Sequence, residues 1–344
     1  MSSMTKQHLD ELDALMKDQK KLLIVLHNHP DPDALAGGLA LKYLTETRYG
    51  LKARIAYSGL IGRAENQALV KELEIPLSKI EMIHPETYDR IAMVDTQPGA
   101  GNNSLPAGSP CHLIIDHHPK NRGTRARVMW IDENLGTTAT IMIQLLELAD
   151  LSIPSRLATA LSYAIRSETQ DLGREASTMD IDAFLSVYPK ASMRKLARIA
   201  FPSLPRFYFE TMGQALSGAQ IYRHLLTAYL GVIPMPEIVA EMADLLLRHE
   251  RITWTLCAGH YQDSLYISMR TSNIRGRAGK LLKKLVPSSN LAGGHDMFAG
   301  GRIPCPSDPD TAEQTARRLF SRFAEKMGYA QADWRPLLNG KQET

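Results

Sequence analysis

Three short apolar runs, Leu22–Leu26, Ile91–Val94 and His112–Ile115, each end in groups that cannot stay in an apolar interior. The first runs into H-N-H-P-D-P-D-A (27–34), the second into Asp95 of V-D-T-Q-P, the third into D-H-H-P (116–119). Runs this short, bounded by turn-forming residues, read as buried strands rather than helices. Between them lie stretches with helical spacing: Leu9, Leu12, Leu15 and Met16 at the start, then Asp33–Thr45 and Glu65–Glu72, with a further strand at Lys52–Tyr57. Strands alternating with helices predict an α/β fold built on a doubly wound, mostly parallel sheet. Ligands of such sheets bind beyond the carboxyl ends of the strands. Three strands that all end in acidic or histidine-rich loops therefore predict one shared site.

From Gly136 the pattern turns helical, over Thr137–Ala149 and Ser155–Ser167, and no clear strand follows until after Tyr222. A second set of elements then appears: strands at Leu225–Val232, Thr253–Ala258 and Ser264–Met269, helices at Pro236–Arg248, Arg275–Leu285 and Pro309–Met327, and the glycine-rich A-G-G-H-D-M-F-A-G-G at 292–301. The expected organisation is a catalytic domain over 1–200, a helical connector over 201–223 and a smaller C-terminal α/β domain over 224–330.

The 344 residues carry 40 basic and 37 acidic side chains, a net charge of +3, too small for wholesale coating of nucleic acid. Three cysteines without C-x-x-C spacing fit a reducing compartment. The polar start and the lack of any run of about 18 apolar residues lead to the expectation of a cytoplasmic protein without membrane contact.

The chemistry lies in the loops. Two carboxylates and two imidazoles within seven residues repel one another and add nothing to a core, unless a cation binds them. His27, Asp31 and Asp33 sit at i, i+4 and i+6, with Pro30 and Pro32 stiffening the loop. Asp33 has a competing reading, as the N-cap of the following helix. His29 falls out of register with this set. A carboxylate-rich, thiolate-free ligand set favours manganese, with magnesium or another divalent ion as the alternative. Of His117 and His118, one suits a metal while its neighbour faces a phosphate or donates a proton, and Asp116 orients a histidine. Asp95 at a strand end completes a set able to hold two ions about 3.5–4 Å apart, the spacing used for displacement at phosphorus.

The order H-x-x-P-D-x-D-A, V-D-T, D-H-H-P and a late G-G-H resembles the DHH phosphoesterase superfamily. The best match within it is the branch with a DHH-associated C-terminal domain, the oligoribonuclease and pAp-phosphatase (nanoRNase-like) proteins. The resemblance implies a hydrolase with two Mn2+ ions that attacks phosphorus with an activated hydroxide. His27, Asp31 and Asp95 then hold one ion, Asp33, Asp95 and His117 the other, and His118 lies against the scissile phosphate. The family's T-D-T motif is represented by S-E-T-Q-D-L-G-R (167–174), which puts Glu168 at the aspartate position, with Asp171 as the fallback ligand. Arg174 reads equally as an ion-pair partner of Glu175 or Asp171 and as a phosphate contact. In the second domain the resemblance assigns Gly293, Gly294 and His295 to substrate binding and makes Arg270 a phosphate clamp. The implied substrates are small nucleotides or short oligonucleotides, held in a cleft between the domains; a homodimer is left open. Competing readings are a pyrophosphatase or exopolyphosphatase, a cyclic-dinucleotide phosphodiesterase, and a nucleotide-binding sensor with weakened catalysis.

Overall fold

The computed structural model describes residues 4–338 apart from Glu175, His295 and Ser307. The chain divides into two compact units, Met1–Pro202 and Ser203–Thr344.

The first unit begins with α1 (Lys6–Met16), then β1 (Lys21–Val25), α2 (Pro32–Tyr49), β2 (Lys52–Tyr57), α3 (Ala64–Glu72), β3 (Leu77–Lys79), β4 (Arg90–Val94), β5 (Leu113–Asp116) and β6 (Val128–Ile131). Helices α4 (Thr138–Leu148), α5 (Ser155–Glu168), α6 (Thr178–Val187) and α7 (Met193–Ala200) follow. The strands form one six-stranded sheet in the order β3-β2-β1-β4-β5-β6, and every pairing in it is parallel. The chain steps outward from β1 to β3, then returns to the other side of β1 with β4. The crevice beyond the ends of β1 and β4 is thus a topological switch point, where open parallel sheets bind ligands.

Alternate residues of β1 reach opposite faces. Leu22 and Ile24 join the large core beneath α2, α4 and α5, while Leu23 and Val25 join a smaller core with Ile80, Ile83, Ile91 and Met93. A strand buried on both faces needs the continuous apolar sequence that β1 has. Strands β3 and β6 were not legible in the sequence. Strand β3 is three residues long, and β6 alternates buried Val128 and Trp130 with exposed Met129.

The second unit contains α8 (Arg206–Gly218), β7 (Gln220–Tyr222), β8 (Leu225–Val232), α9 (Ile238–Leu247), β9 (Trp254–Tyr261), β10 (Ser264–Thr271), α10 (Ala278–Leu285), β11 (Ala292–Gly294), β12 (Phe298–Pro304), α11 (Pro309–Lys326) and β13 (Arg335–Pro336). Its seven strands run β11-β12-β10-β9-β8-β7-β13, with β8 and β9 parallel and the other neighbours antiparallel. The segment 201–223 is therefore not a bare connector. Ala215 of α8 lies in the core under α9, and β7 pairs with β8. Among the described residues, no helix is long and apolar enough to cross a membrane.

In the glycine-rich segment two neighbours do different work. Gly294 has φ +142°, and a Cβ there would stand 2.3 Å from the Phe298 carbonyl oxygen. Gly279 of α10 meets the Gly294 carbonyl equally closely, its would-be Cβ 2.4 Å from that oxygen. At Gly293 a Cβ would meet nothing within 4 Å. Gly294→Ala is expected to destabilise the protein by at least about 2 kcal/mol in chemical denaturation. Gly293→Ala is expected to stay within about 0.5 kcal/mol of wild type. Equal effects would contradict this assignment of the two glycines.

Candidate metal centre

Beyond the end of β1, the Asp31 side chain caps α2. Its Oδ1 accepts from the Asp33 and Ala34 N–H groups, each at 3.0 Å. The other oxygen faces His27 Nε2 at 3.4 Å. Asp33 is not the cap. It crosses to the start of α4 and accepts from Thr138 N at 2.7 Å and Ala139 N at 2.8 Å. Helix N-termini favour anions through exposed N–H groups and the macrodipole, so two helix starts hold the two carboxylates of the P-D-P-D loop.

Asp95 follows β4 in the left-handed region, with φ +60°, a conformation aspartate tolerates better than most residues. It is 2% exposed, and its Oδ1 accepts from Thr138 Oγ1 at 2.9 Å. Its two oxygens face different partners: Oδ2 is 3.5 Å from His27 Nε2, while Oδ1 is 3.6 Å from His117 Nε2. His117 Nε2 also stands 3.7 Å from Asp33 Oδ2.

Both imidazoles are turned the same way. His27 Nδ1 donates to the Asn28 carbonyl at 2.8 Å, and His117 Nδ1 to the Leu135 carbonyl at 3.2 Å. Each bond fixes Nδ1 as the donor and turns Nε2 toward the carboxylates, the orientation a metal-binding histidine needs. Donor atoms about 2.1 Å from one ion stand about 3.0–3.5 Å apart in octahedral or tetrahedral geometry. The spacings around Asp95 are only slightly wider. Among the described residues, His27, Asp31 and Asp95 form one set with ligand atoms all within 4.8 Å, and Asp95, His117 and His118 another.

His118 is nonetheless unlike His117. Its Nδ1 donates to Asp116 Oδ1 at 2.9 Å, which occupies the nitrogen nearest Asp95. That hydrogen bond, aided by the negative charge of Asp95, pushes the imidazole up to about 9. Asp116 is itself buried and anchored, accepting from His118 N at 3.1 Å and from Gln97 Nε2 at 2.8 Å. Gln97 Oε1 accepts in turn from Asn121 N at 3.0 Å. Gln97 and Thr138 are thus positioning residues that the sequence reading passed over. The polar residue two places after Asp95 was the signal for the first, and G-T-T before a helix was the signal for the second.

Glu168 ends α5 and belongs to neither ligand set. Burial, reinforced by the charges of Asp31 and Asp95, pushes its carboxyl up to about 7, with Arg174 opposing. Asp171 is no alternative ligand. It is 71% exposed in its side chain and pairs with Arg166 at 2.6 Å. His29, with φ +57°, accepts from Leu60 N through Nδ1 and packs its ring on Gly59, away from the ligand set.

In the second unit, Arg270 is not an open clamp. Its Nε donates to Asp244 Oδ1 at 2.6 Å and its Nη1 to Ser268 Oγ at 2.8 Å, with the Phe298 ring 5.9 Å from the guanidinium carbon. Gly293 and Gly294 lie on β11, and His295 lies outside the described residues.

The carboxylates fit a divalent ion because they do not fit one another. Burial, then the charges of Asp95 and Asp31, hold Asp33 well above the ordinary carboxylate range. A carboxyl with a raised pKa carries its proton more tightly folded than unfolded, so its contribution favours folding at low pH and fades as pH rises. For Glu168 that window runs from 4.5 to about 7. Mn2+ is expected to reverse the loss, with affinity rising between pH 6 and 8. Proton release on binding is expected to be larger at pH 6, measured by titration calorimetry in buffers of different ionisation enthalpy. Affinity that falls with pH would exclude these carboxylates as the site.

Residues 21–165 match the DHH family, N-terminal domain. An uncharacterized protein of Methanocaldococcus jannaschii is 36% identical over 294 residues, 84% of this chain and 59% of that protein. A probable manganese-dependent inorganic pyrophosphatase of Lactiplantibacillus plantarum is 24% identical over 197 residues, 57% of this chain and again 59% of that protein. The chain thus spans less than two thirds of either relative. In fold it is similar to the crystal structure of an exopolyphosphatase-related protein from Bacteroides fragilis, with TM-score 0.76 at 15% identity, covering 95% of this chain and 98% of that one. It is also similar in fold to an exonuclease RecJ bound to manganese, with TM-score 0.53 at 13% identity over 94% of this chain and 95% of that one. The loops that gather His27, Asp31, Asp33, Asp95, His117 and His118 all lie within the matched segment, and residues 21–165 are a DHH-family N-terminal domain.

Proposed function

We propose that this protein is a metal-dependent phosphoesterase acting on short oligonucleotides, linear dinucleotides or 3′-phosphoadenosine 5′-phosphate. The observation that carries this reading is Asp95, whose two oxygens face two separate histidines. A carboxylate placed in this way can bridge two ions. On this reading His27, Asp31 and Asp95 hold one divalent ion and Asp33, Asp95 and His117 the other. Bound ions of this kind polarise a phosphoryl oxygen and lower the pKa of water.

The protein's own side chains do the rest. His118 keeps a proton on Nδ1 against Asp116, a hydrogen bond that raises the pKa of the imidazole and favours its protonated form. It can steady the negative charge that builds on the phosphoryl oxygens and protonate the leaving oxygen through Nε2. Gln97 fixes Asp116 from the opposite side, so the imidazolium is held in one orientation. Thr138 holds Asp95 and Asp33 together with one hydroxyl and one N–H.

Support for a nucleotide ligand comes from the second unit taken by itself. Phe298 is 39% exposed beside Arg270, a surface on which a base can stack. The helix α10 turns Lys280, Lys283 and Lys284 to solvent, where they can attract phosphates. A second reading, an inorganic pyrophosphatase, draws support from the similarity to the probable manganese-dependent inorganic pyrophosphatases of lactobacilli.

Mn2+-dependent turnover of pApA, pAp, cyclic di-AMP and pyrophosphate separates these readings. Faster turnover of pApA or pAp than of pyrophosphate is the expected result; the reverse order would favour the second reading. Nucleotide binding without turnover of any substrate would favour a sensor. Asp95→Asn is expected to lose about a hundredfold or more in kcat with the fold retained by circular dichroism. Gln97→Ala is expected to lower kcat about tenfold with little change in Mn2+ affinity, because it acts through Asp116. A Gln97→Ala variant with normal kcat would remove the Gln97–Asp116–His118 chain from the mechanism.

A further inference from the structure

After α5 the backbone does something costly. Gln170, Asp171 and Leu172 have φ of +49°, +56° and +66°, three consecutive non-glycine residues in the left-handed region. Such conformations persist only where the surroundings impose them. Here Asp171 N donates to the Arg166 carbonyl at 2.7 Å, Leu172 N to Thr169 Oγ1 at 3.0 Å and Arg174 N to the Thr169 carbonyl at 2.8 Å. The Arg166–Asp171 ion pair closes the turn from outside. The result is that the chain doubles back and Arg174 returns to the end of α5, beside Glu168.

The Arg174 guanidinium is poorly satisfied where it stands. Nη2 reaches the Glu168 carbonyl at 3.3 Å, a long contact, and the buried Nε has no acceptor among the described residues. A guanidinium offers five donors, and burying one without an acceptor is unfavourable. Asp171, one of its two sequence-level partners, is taken by Arg166; the other, Glu175, lies outside the described residues. Arg174 also bears electrostatically on Glu168, which in turn feels Asp31 and Asp95. Its charge therefore sits at the edge of the carboxylate cluster. An anionic phosphate approaching those carboxylates is repelled unless fixed cations accompany it, and a planar guanidinium matches phosphoryl oxygens in pairs.

We propose that Arg174 is a substrate-binding residue of this centre, donating its unused N–H groups to non-bridging oxygens of the phosphate, and that the left-handed turn at 170–172 exists to deliver it. This rests on the phosphoesterase reading, but the two fail separately. Absence of hydrolysis of every substrate tested would sink that reading. The present proposal is judged by phosphate binding.

The test uses the full chain loaded with Mn2+, titrated with inorganic phosphate by calorimetry, in wild type, Arg174→Ala and Arg174→Lys. Arg174→Ala is expected to weaken phosphate binding about tenfold to a hundredfold, with Arg174→Lys intermediate. Mn2+ affinity and melting temperature are expected to remain near wild type, and KM for the hydrolysed substrate is expected to rise by a similar factor. Added guanidinium chloride at millimolar level is expected to restore part of the phosphate affinity of Arg174→Ala. Unchanged phosphate affinity in Arg174→Ala, or no phosphate binding by wild type, would overturn the proposal. So would a parallel loss of Mn2+ affinity, which would make Arg174 a support for Glu168 instead.

Discussion

Two backbone N–H groups at the start of α4 hold the centre together. Thr138 N and Ala139 N take both oxygens of Asp33, and the Thr138 hydroxyl takes one oxygen of Asp95. A buried carboxylate is costly without such partners, and here two buried carboxylates from different loops share one helix terminus. The turn before α4 is fixed from its other side by Asp180, fully buried in α6, which accepts from Gly136 N at 2.8 Å and from Thr140 Oγ1 at 2.5 Å. A helix far along the chain thus sets where α4 begins, and α4 sets where the carboxylates of the first and second loops stand. His27, His117 and His118 are then placed by the ends of β1 and β5, so the candidate ligands converge from strands on both sides of the sheet's switch point.

Much of this was legible in the sequence, for a definite reason. The apolar runs before His27, Asp95 and Asp116 could only be buried strands, and residues at their ends could only emerge at one edge of a parallel sheet. Residue types and order therefore located the cluster. What the sequence could not show was which carboxylate does what within it. Asp31 and Asp33 are both plausible helix caps by spacing, and only tertiary packing against α4 shows that Asp31 caps α2 while Asp33 crosses to another helix. The division of labour between His117 and His118 turns on which ring nitrogen meets the Leu135 carbonyl and which meets Asp116. Adjacent identical residues carry no mark of that difference.

The second unit is less legible in the sequence, because its defining contacts join distant parts of the chain. The helix α8 and strand β7 have no strong turn signal between them and β8, yet β7 extends the sheet and pairs with β13 near the far end of the described chain. Arg270 was expected to face substrate, but its partner Asp244 lies 26 residues earlier on α9. The pair leaves the guanidinium rigid beside Phe298, a firmer platform than an unpaired arginine would give.

The strand order has a consequence for how this protein is made. The central strand β1 pairs with β2 on one side and with β4 on the other, and β4 is encoded some way downstream. At ribosomal speeds of about 5–20 residues per second, β1 spends several seconds with one edge unpaired and both apolar faces only partly covered. Its five-residue length limits what that edge can recruit, and the charged Lys21 guards its start. The candidate ligands are spread from His27 to His118, so the second set, Asp95, His117 and His118, stays incomplete until β5 has emerged.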